Sequence, residues 1–429
     1  MVKSILYKII KNPWRFLFYL NYYISFPIAL IFVILIRIIS SFYLVRWACI
    51  KSSRIGHLTL DTTIYYLYKK NNLEKFPKKH LDIFYMRYDV ANKTIASFLK
   101  NKFLFFPSSF MHAVDKINNI FEKILPTEDI HLIGMHKHDK NLLPKVPWLN
   151  RDIYGAINNF PSIHNFSEYQ ENKGREFLAS LNINSEDKFV CLYVRDEAYL
   201  KKEFRTNDWS YHNFRNHDID NFYMCADQLT KRGYHVIRMG SVVEKKFDNK
   251  GNKMIFDYGS SNCRSDFLDI YLLAKCNLCI STSGGLDNVS LIFKVPVLLI
   301  GVLPIGDIQS YYKNVMVTSR TIYSKKLNRN LTLSEIFQLK LGYSYTSDEY
   351  NDFTIEVLSS ETITNSMLEM LKLMKNNFYL EEDDNILQEK FKKKFLLLAS
   401  LKDNKEIFHK DFHATFDPLY LRNNTNWLE

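Results

Sequence analysis

Apolar and polar positions divide the chain into three regimes. The first is 16–36 (FLFYLNYYISFPIALIFVILI), twenty-one residues without a charge, about the length a helix needs to cross the hydrocarbon of a bilayer. From residue 44 short apolar runs alternate with amphipathic ones. LVRWACI (44–50) reads as a strand, SSRIGHL (52–58) as a turn and LTLDTTIYYLYKK (58–70) as a helix. LDIFYMRY (81–88) is the next strand, and a helix over 92–102 leads to FLFF (103–106). Strand, turn and helix in repetition are the pattern of a parallel sheet.

A Pro-, Asn- and His-rich stretch over 126–161 breaks that periodicity and predicts loops and the crossing to a second domain. The alternation then resumes. Strands are predicted at 188–194, 234–240, 254–259, 277–283 and 295–301, and helices at 222–233, 267–276 and 286–294. The last regime reads as two helices, 365–376 and 383–402, followed by an aromatic tail. The expected fold class is therefore α/β, with two Rossmann-like domains facing across a cleft. The boundaries are a membrane-associated segment over 1–43, a first domain with a loop-rich hinge over 44–180, a second domain over 181–340 and a helical tail over 341–429.

Composition agrees with this division. With 429 residues the chain exceeds one ordinary core, and 47% hydrophobic against 24% charged residues excludes a disordered polymer. The formal charge of +11 calls for an anionic partner without naming it. The basic residues are scattered rather than set in a stripe with stacking aromatics, so nucleic acid is not expected. Lys3, Lys8, Lys11 and Arg15 precede the apolar stretch, and Arg37, Arg46, Lys51 and Arg54 follow it. A single span would carry one basic flank across the membrane. A monotopic segment bent at Pro27 keeps both at the anionic cytoplasmic leaflet, and is preferred, with a single-pass anchor as the alternative. Six cysteines without framework spacing suit a reducing compartment, and Cys276 and Cys279 are expected as buried thiols rather than metal ligands.

Candidate chemistry gathers where predicted strands stop, the edge at which an α/β sheet presents its ligand groups. V-R-D-E-A-Y (194–199) places Arg195 and Asp196 there, and an arginine can fork onto a phosphate through two parallel hydrogen bonds. H-N-F-R-N-H-D-I-D-N (212–221) offers His212, Arg215 and Asn216 as groups that orient a substrate, whereas Asp218 and Asp220 suit a helix cap better than a metal. I-S-T-S-G-G-L-D-N-V-S-L (280–291) is a strand, a hydroxyl and glycine turn, and a helix. Thr282, Ser283, Gly284, Gly285 and Asn288 are read as a place where backbone N–H groups meet an anion. Arg238 and Gly240 end the intervening strand and are assigned to the same site. In the first domain Gly56 would permit close approach of substrate, and His57 is the imidazole at a β-to-α turn, a candidate general base. Neither a phosphate loop of the G-x-x-x-x-G-K-[ST] type nor a G-x-G-x-x-G fingerprint occurs.

From R-I-G-H-L through F-V-C-L-Y-V-R-D-E-A-Y, Y-H-N-F-R-N-H-D-I, V-I-R-M-G-S, F-L-D-I-Y-L-L-A and S-G-G-L to T-L-S-E-I-F, the chain resembles a family of bacterial glycosyltransferases of surface-polysaccharide assembly. The resemblance covers most of 44–370. It implies a GT-B architecture with an acceptor domain first, a nucleotide-sugar domain second and no essential metal or resident cofactor. More distantly, V-R-D is similar to the arginine motif of GT-B fucosyltransferases, which implies that Arg195 meets the donor diphosphate. The T-S-G-G turn is similar to the donor-binding turn of heptosyltransferases, whose first-domain glycine turn is followed by a catalytic Asp; here His57 stands at that place. The expected activity is transfer of a sugar from a nucleotide diphosphate sugar to a hydroxyl of a cell-surface glycan or lipid-linked acceptor, with inversion, at the cytoplasmic face of the membrane. Transfer of a non-sugar group such as pyruvyl, and a noncatalytic assembly subunit with a nucleotide pocket, are the alternatives.

Overall fold

A computed structural model of the chain describes residues 13–73, 77, 79–86, 89–127, 130–133, 151–198, 210–400 and 409–429. The chain forms two compact units, Met1–Asn150 and Arg151–Glu429.

In the first unit β1 (Leu44–Ile50), β2 (His80–Met86) and β3 (Leu104–Phe105) make a parallel sheet in that order, with Leu44 opposite His80 and Ile50 opposite Met86. The alternation of apolar runs and amphipathic helices thus gives the sheet it predicted. Helix α1 (Pro13–Ile39) contains the whole apolar stretch. It packs through a stripe at helical spacing, Tyr22, Phe26, Ala29, Val33 and Ile36, against a core that includes Trp47 and Tyr85 of the sheet and Met111, Val114 and Ile117 of helix α4 (Ser108–Ile124). α1 is not interrupted at Pro27, where the sequence suggests a bend, and runs as one helix through it. The ring removes one backbone bond, to the Tyr23 carbonyl, and the packed stripe on both sides of Pro27 holds the helix together. Outside the stripe the surface is equally apolar, with Tyr23, Ile24, Ile28, Ile31, Leu35 and Ile38 exposed. Only 17% of the apolar window of Phe16–Ile39 is buried.

Two polar pins fasten α4. Its Asp115 accepts from Trp47 Nε1 at 2.5 Å and from the Tyr85 hydroxyl, and Arg37 at the end of α1 bonds Asn118 and Glu122. Burial pushes the Asp115 carboxyl up, so these two donors answer a polar group that would otherwise be costly inside the core.

In the second unit seven strands form one parallel sheet: β4 (Lys188–Tyr193), β5 (Tyr234–Arg238), β6 (Ile255–Asp257), β7 (Leu278–Ser281), β8 (Val297–Val302), β9 (Val315–Ser319) and β13 (Thr415–Phe416). Their order across the sheet is β13-β9-β8-β7-β4-β5-β6. Counted from β4, the first six strands stand as 3-2-1-4-5-6, the order of doubly wound nucleotide-binding sheets. Both faces are covered, so central strands read as unbroken apolar runs rather than alternations; β8 is buried at every position. A separate three-stranded antiparallel piece, β11-β10-β12, comprises β10 (Ile322–Ser324), β11 (Arg329–Asn330) and β12 (Phe353–Ile355).

The last part of the chain is more than helix. Ser360–Lys375 and Glu382–Ser400 are helical as expected, and the segment after them returns to lay β13 parallel to β9. Gln388 receives both backbone polar groups of Phe416, donating to its carbonyl at 2.5 Å and accepting from its N–H at 3.0 Å. Cys191, Cys276 and Cys279 are buried free thiols.

Candidate active site

In a 3-2-1-4-5-6 sheet the ligand crevice opens at the carboxyl ends of the two strands where the winding reverses. Here those strands are β4 and β7. The chain leaves β4 at Tyr193 and β7 at Ser281, and the two ends are laced together: Thr282 N–H donates to the Tyr193 carbonyl at 3.1 Å, and Arg195 N–H donates to Thr282 Oγ1 at 2.8 Å. Thr282 therefore fixes the position of Arg195 through backbone and hydroxyl together.

The Arg195 guanidinium donates to Asn216 Oδ1 at 2.5 Å, and the Arg195 carbonyl accepts from the His217 N–H at 3.2 Å. Asn216 follows a short 3-10 helix, Ser210–Arg215, which also presents Arg215. The Arg215 guanidinium donates to the Ser283 carbonyl at 3.3 Å. Three residues expected at one site, Arg195, Arg215 and Asn216, are thus brought together with the turn after β7. Burial, reinforced by the nearby charge of Arg215, pushes the Arg195 guanidinium down to about 10. Two like charges in a partly desolvated corner repel, and an anion placed between them relieves both costs. The side chain of His212 lies outside the described residues.

Arg320, which follows β9 and which pattern reading did not single out, supports this corner. It donates from Nη1 to the Phe214 carbonyl at 2.5 Å and from Nε to the Glu356 carbonyl at 3.0 Å, and burial pushes it down to about 10. His217 lies between the charges of Arg320 and Arg195, and burial together with those charges pushes its imidazole down to about 3. The ring stays neutral at physiological pH.

Other expectations are revised. Arg238 does not present its charge to the crevice. It is 1% exposed and pairs with Asp257 at 3.1 Å and more loosely with Asp196 at 3.9 Å. Register explains this, since Arg238 and Asp257 stand opposite one another at the ends of β5 and β6. Asp196 organises its loop, accepting from the N–H groups of Ala198 and Glu244 at 3.0 Å each. Gly240 has φ of +152°, and a Cβ there would lie 2.5 Å from Val243 Cγ1, so its role is to turn the backbone.

The turn after β7 also differs from expectation. Ser283 N–H is held by Ser281 Oγ at 3.2 Å, and Gly284 N–H by Asp287 Oδ2 at 3.0 Å, so these two donors face inward rather than towards an anion. The space beside Gly284 is filled by the Tyr193 ring, 2.3 Å from where a Cβ would sit. Ser283 adopts φ of +61°, a left-handed conformation of the kind that gathers at functional turns. Asp287, fully buried, is the keystone: it accepts from Ser281 Oγ at 2.9 Å as well as from Gly284, and burial pushes its carboxyl up to about 6. The helix it begins, Asp287–Ile292, is shorter than the 286–294 expected. Asn288 accepts from Gln309 Nε2 at 3.1 Å, which ties the turn to the loop after β8. Gly285 lies in the bend that leads into this helix.

In the same loop, Asp307 forms an ion pair with Arg151, the first residue of the second unit, and this pairing holds the Asp307 carboxyl below the usual range despite burial. Asp218 caps a short 3-10 helix by accepting from Asp220 N–H at 3.0 Å, and Lys245 pairs with both carboxylates. Among the described residues no group of three or more His, Cys, Asp and Glu is placed to hold a metal ion.

In the first unit, His57 and Gly56 follow the carboxyl end of β1. Ser52 joins this end to the segment after β2, donating from Oγ to the Asp89 carbonyl at 2.9 Å and accepting at its carbonyl from Ala91 N–H at 2.8 Å. Gly56 has φ of −60°, so no left-handed conformation demands glycine there. His57–Asp61 is a π-helical turn leading into α2 (Thr62–Lys70), and His57 Nδ1 lies 3.0 Å from Asp61 Oδ2. Asp61 was not expected at the site. The His-x-x-x-Asp spacing was its only signal in the sequence.

No family model and no curated protein matches the chain. Solved structures do. E. coli ADP-heptose lps heptosyltransferase II is similar at 12% identity and a TM-score of 0.39, covering 77% of this chain and 99% of its own. A glycosyl transferase family 9 protein of Veillonella parvula is similar at 12% identity and a TM-score of 0.42, covering 76% and 97%. UDP-GlcNAc 2-epimerase of Neisseria meningitidis, bound to UDP-GlcNAc, is similar at 11% identity and a TM-score of 0.33, covering 78% and 100%. At these values the functional reading rests on the chain's own residues.

Proposed function

We propose that the chain is a glycosyltransferase that moves a sugar from a nucleotide diphosphate sugar to a hydroxyl of a cell-surface glycan or lipid-linked acceptor, with inversion and without a resident cofactor or metal. The observation that carries this reading is the pair Arg195 and Arg215 at the switch point between β4 and β7. Arg195 is pushed down to about 10 by burial and by its neighbour's charge, and its hydrogen-bond partner there is the neutral amide of Asn216. A diphosphate brings negative charge to these two guanidinium groups. It gains more as the glycosidic bond breaks and charge moves onto the leaving oxygen, which is when fixed cationic donors lower the barrier most. Asn216 holds the Arg195 fork in place, and Thr282 sets its backbone. His57 is the candidate base for the acceptor hydroxyl.

α1 gives the reading its place. Its stripe from Tyr22 to Ile36 packs on the first unit while Tyr23, Ile24, Ile28, Ile31, Leu35 and Ile38 are open. A helix bound along its length to a water-soluble sheet suits a bilayer surface rather than a crossing. The protein is read as monotopic at the cytoplasmic leaflet, where a lipid-linked acceptor is within reach.

The test is a panel of UDP, GDP, ADP and CDP, each with its monophosphate, in isothermal titration, followed by release of nucleoside diphosphate from the matching sugar donors. Binding of one diphosphate well above its monophosphate is expected. Failure of every nucleotide to bind would dispose of the donor site.

A further inference from the structure

The carboxyl ends of α1 and α4 meet at Arg37. Its guanidinium donates to Asn118 Oδ1 at 3.1 Å and to the Leu125 carbonyl at 2.8 Å, pairs with Glu122, and lies 5.3 Å from the centre of the Phe121 ring. The end of α1, the turn that follows it and the end of α4 are thereby held side by side. All of them expose large apolar side chains. Ile38 and Phe42, just after Arg37, are 67% and 81% exposed, and Ile124 and Leu125 at the end of α4 are 70% and 62% exposed. A single exposed apolar residue is ordinary, but several from two helices fastened together mark a surface that a partner covers.

The rest of α4 shows what that partner is. Ile117 and Phe121 pack into the core shared with α1. At about 100° per residue the side chains of α4 follow one another round the helix as Phe121, Ile117, Ile124, Ile120, Lys116 and Lys123. Ile120, Ile124 and both lysines are exposed, so the outer surface of α4 is apolar beside α1 and cationic beyond. Its charges are sorted by sign. The two acids of α4 turn inward, Asp115 to Trp47 and Tyr85 and Glu122 to Arg37, whereas Lys116 and Lys123 face water. The chain has no Asp or Glu before Asp61, so α1 and its flanks add only positive charge.

These features select one occupant. A second copy meeting the patch about a two-fold axis would set the patch against itself and bring lysines together. An anionic bilayer accepts apolar side chains at the acyl boundary and lysines at the headgroups. We infer that the ends of α1 and α4 form one lipid-binding surface: Ile120, Ile124 and Leu125 enter an anionic bilayer beside α1, and Lys116 and Lys123 meet its headgroups. The inference rests on the bilayer-surface reading of α1 and extends it to a second helix. A unit held by one helix can still roll about that helix's axis, and a second contact away from the axis sets its tilt on the membrane.

The experiment uses the full chain, synthesised cell-free in the presence of vesicles of phosphatidylcholine alone or mixed with phosphatidylglycerol, and separated by flotation. Wild type should float with the mixed vesicles. Ile120→Glu combined with Ile124→Glu should lower the partition constant by at least about 10-fold, the loss expected from removing one large apolar side chain from lipid. Both positions are exposed, so the melting temperature should not move. Tyr379→Glu, at a position 79% exposed in the second unit, should leave partition unchanged. Lys116→Gln combined with Lys123→Gln should lower partition by about 10-fold on the mixed vesicles and leave binding to phosphatidylcholine alone unaltered. A second arm needs no affinity: p-benzoylphenylalanine in place of Ile124 should form a lipid adduct on irradiation. Wild-type partition by the double glutamate variant, or no lipid adduct at position 124, overturns the inference while leaving α1 as the membrane contact. An adduct between two chains at that position makes the surface a contact between copies and overturns it as well. Failure of wild type to float with either vesicle removes the bilayer reading of α1 itself.

Discussion

Two arginines stand at the ends of adjacent strands of one sheet, Arg195 just past β4 and Arg238 closing β5, and the fold uses them in opposite ways. Arg238 is sealed between Asp257 and Asp196. Arg195 meets the amide of Asn216 and lies under the charge of Arg215. The residue type and the position along a strand are nearly the same. What differs is the neighbouring strand: β6 ends in a carboxylate directly opposite Arg238, whereas on the other side of β4 the strand β7 ends in Ser281, with Thr282 next in the chain. An arginine at a strand end is sealed by carboxylates or set beside a second cation according to what the next strand brings, and that is decided by strand order.

The sharpest way to break this contrast is to remove each arginine in turn. Arg238→Ala leaves the part-buried Asp257 without its cation and should cost about 3 kcal/mol in chemical denaturation, the lower end of the range for breaking one side of a buried pair. Arg195→Ala should leave the denaturation midpoint nearly unmoved and weaken binding of the preferred nucleoside diphosphate by about 10²-fold, measured by calorimetry. Equal stability losses in the two variants would erase the distinction.

A smaller effect is expected at Gly284, which sharpens the contrast from the β7 side. Gly284→Ala drives a methyl into the Tyr193 ring, so it should lower stability by about 1 to 3 kcal/mol and weaken diphosphate binding in parallel, because Tyr193 and Thr282 carry Arg195. A thermal melt and a titration on the same sample check both. The smallest effect concerns pH. Asp287 holds its proton up to about 6 in the fold, whereas an unfolded aspartate releases it near 3.9. Its contribution to stability is therefore fully present below the unfolded value and lost as pH rises from about 4 to about 6. Asp287→Asn should flatten the slope of stability in that window by an amount on the order of 1 kcal/mol per pH unit. Asp269, also pushed up to about 6 by burial, leaves a residual slope of the same sign.

The contrast also marks what a sequence displays. Unbroken apolar runs such as KFVCLYV and VPVLLIG are legible because strands covered on both faces have no polar positions, and the polar clusters after them are legible because strands end there. Which of those charges meets which partner is not, since Arg238 and Asp257 meet through register rather than proximity along the chain. Asp61 stayed hidden for a different reason: a carboxylate in the first turns of a predicted helix looks like any other. Arg320 and the pair of Arg151 with Asp307 were hidden by separation, 156 positions in the latter case. β13 was hidden by its brevity, two residues in a segment whose aromatic content suggested only a tail.

That short strand bears on how the protein is made. β9 is buried at every position, and one of its edges is covered by Thr415 and Phe416, residues the ribosome adds roughly 5 to 20 s after Ser319 at ordinary rates of synthesis. During that interval the nascent sheet presents an uncovered apolar edge, the kind of surface that pairs with other chains. Holding factors that bind extended apolar segments would find it at this stage and lose it once the segment carrying Phe416 has docked under Gln388.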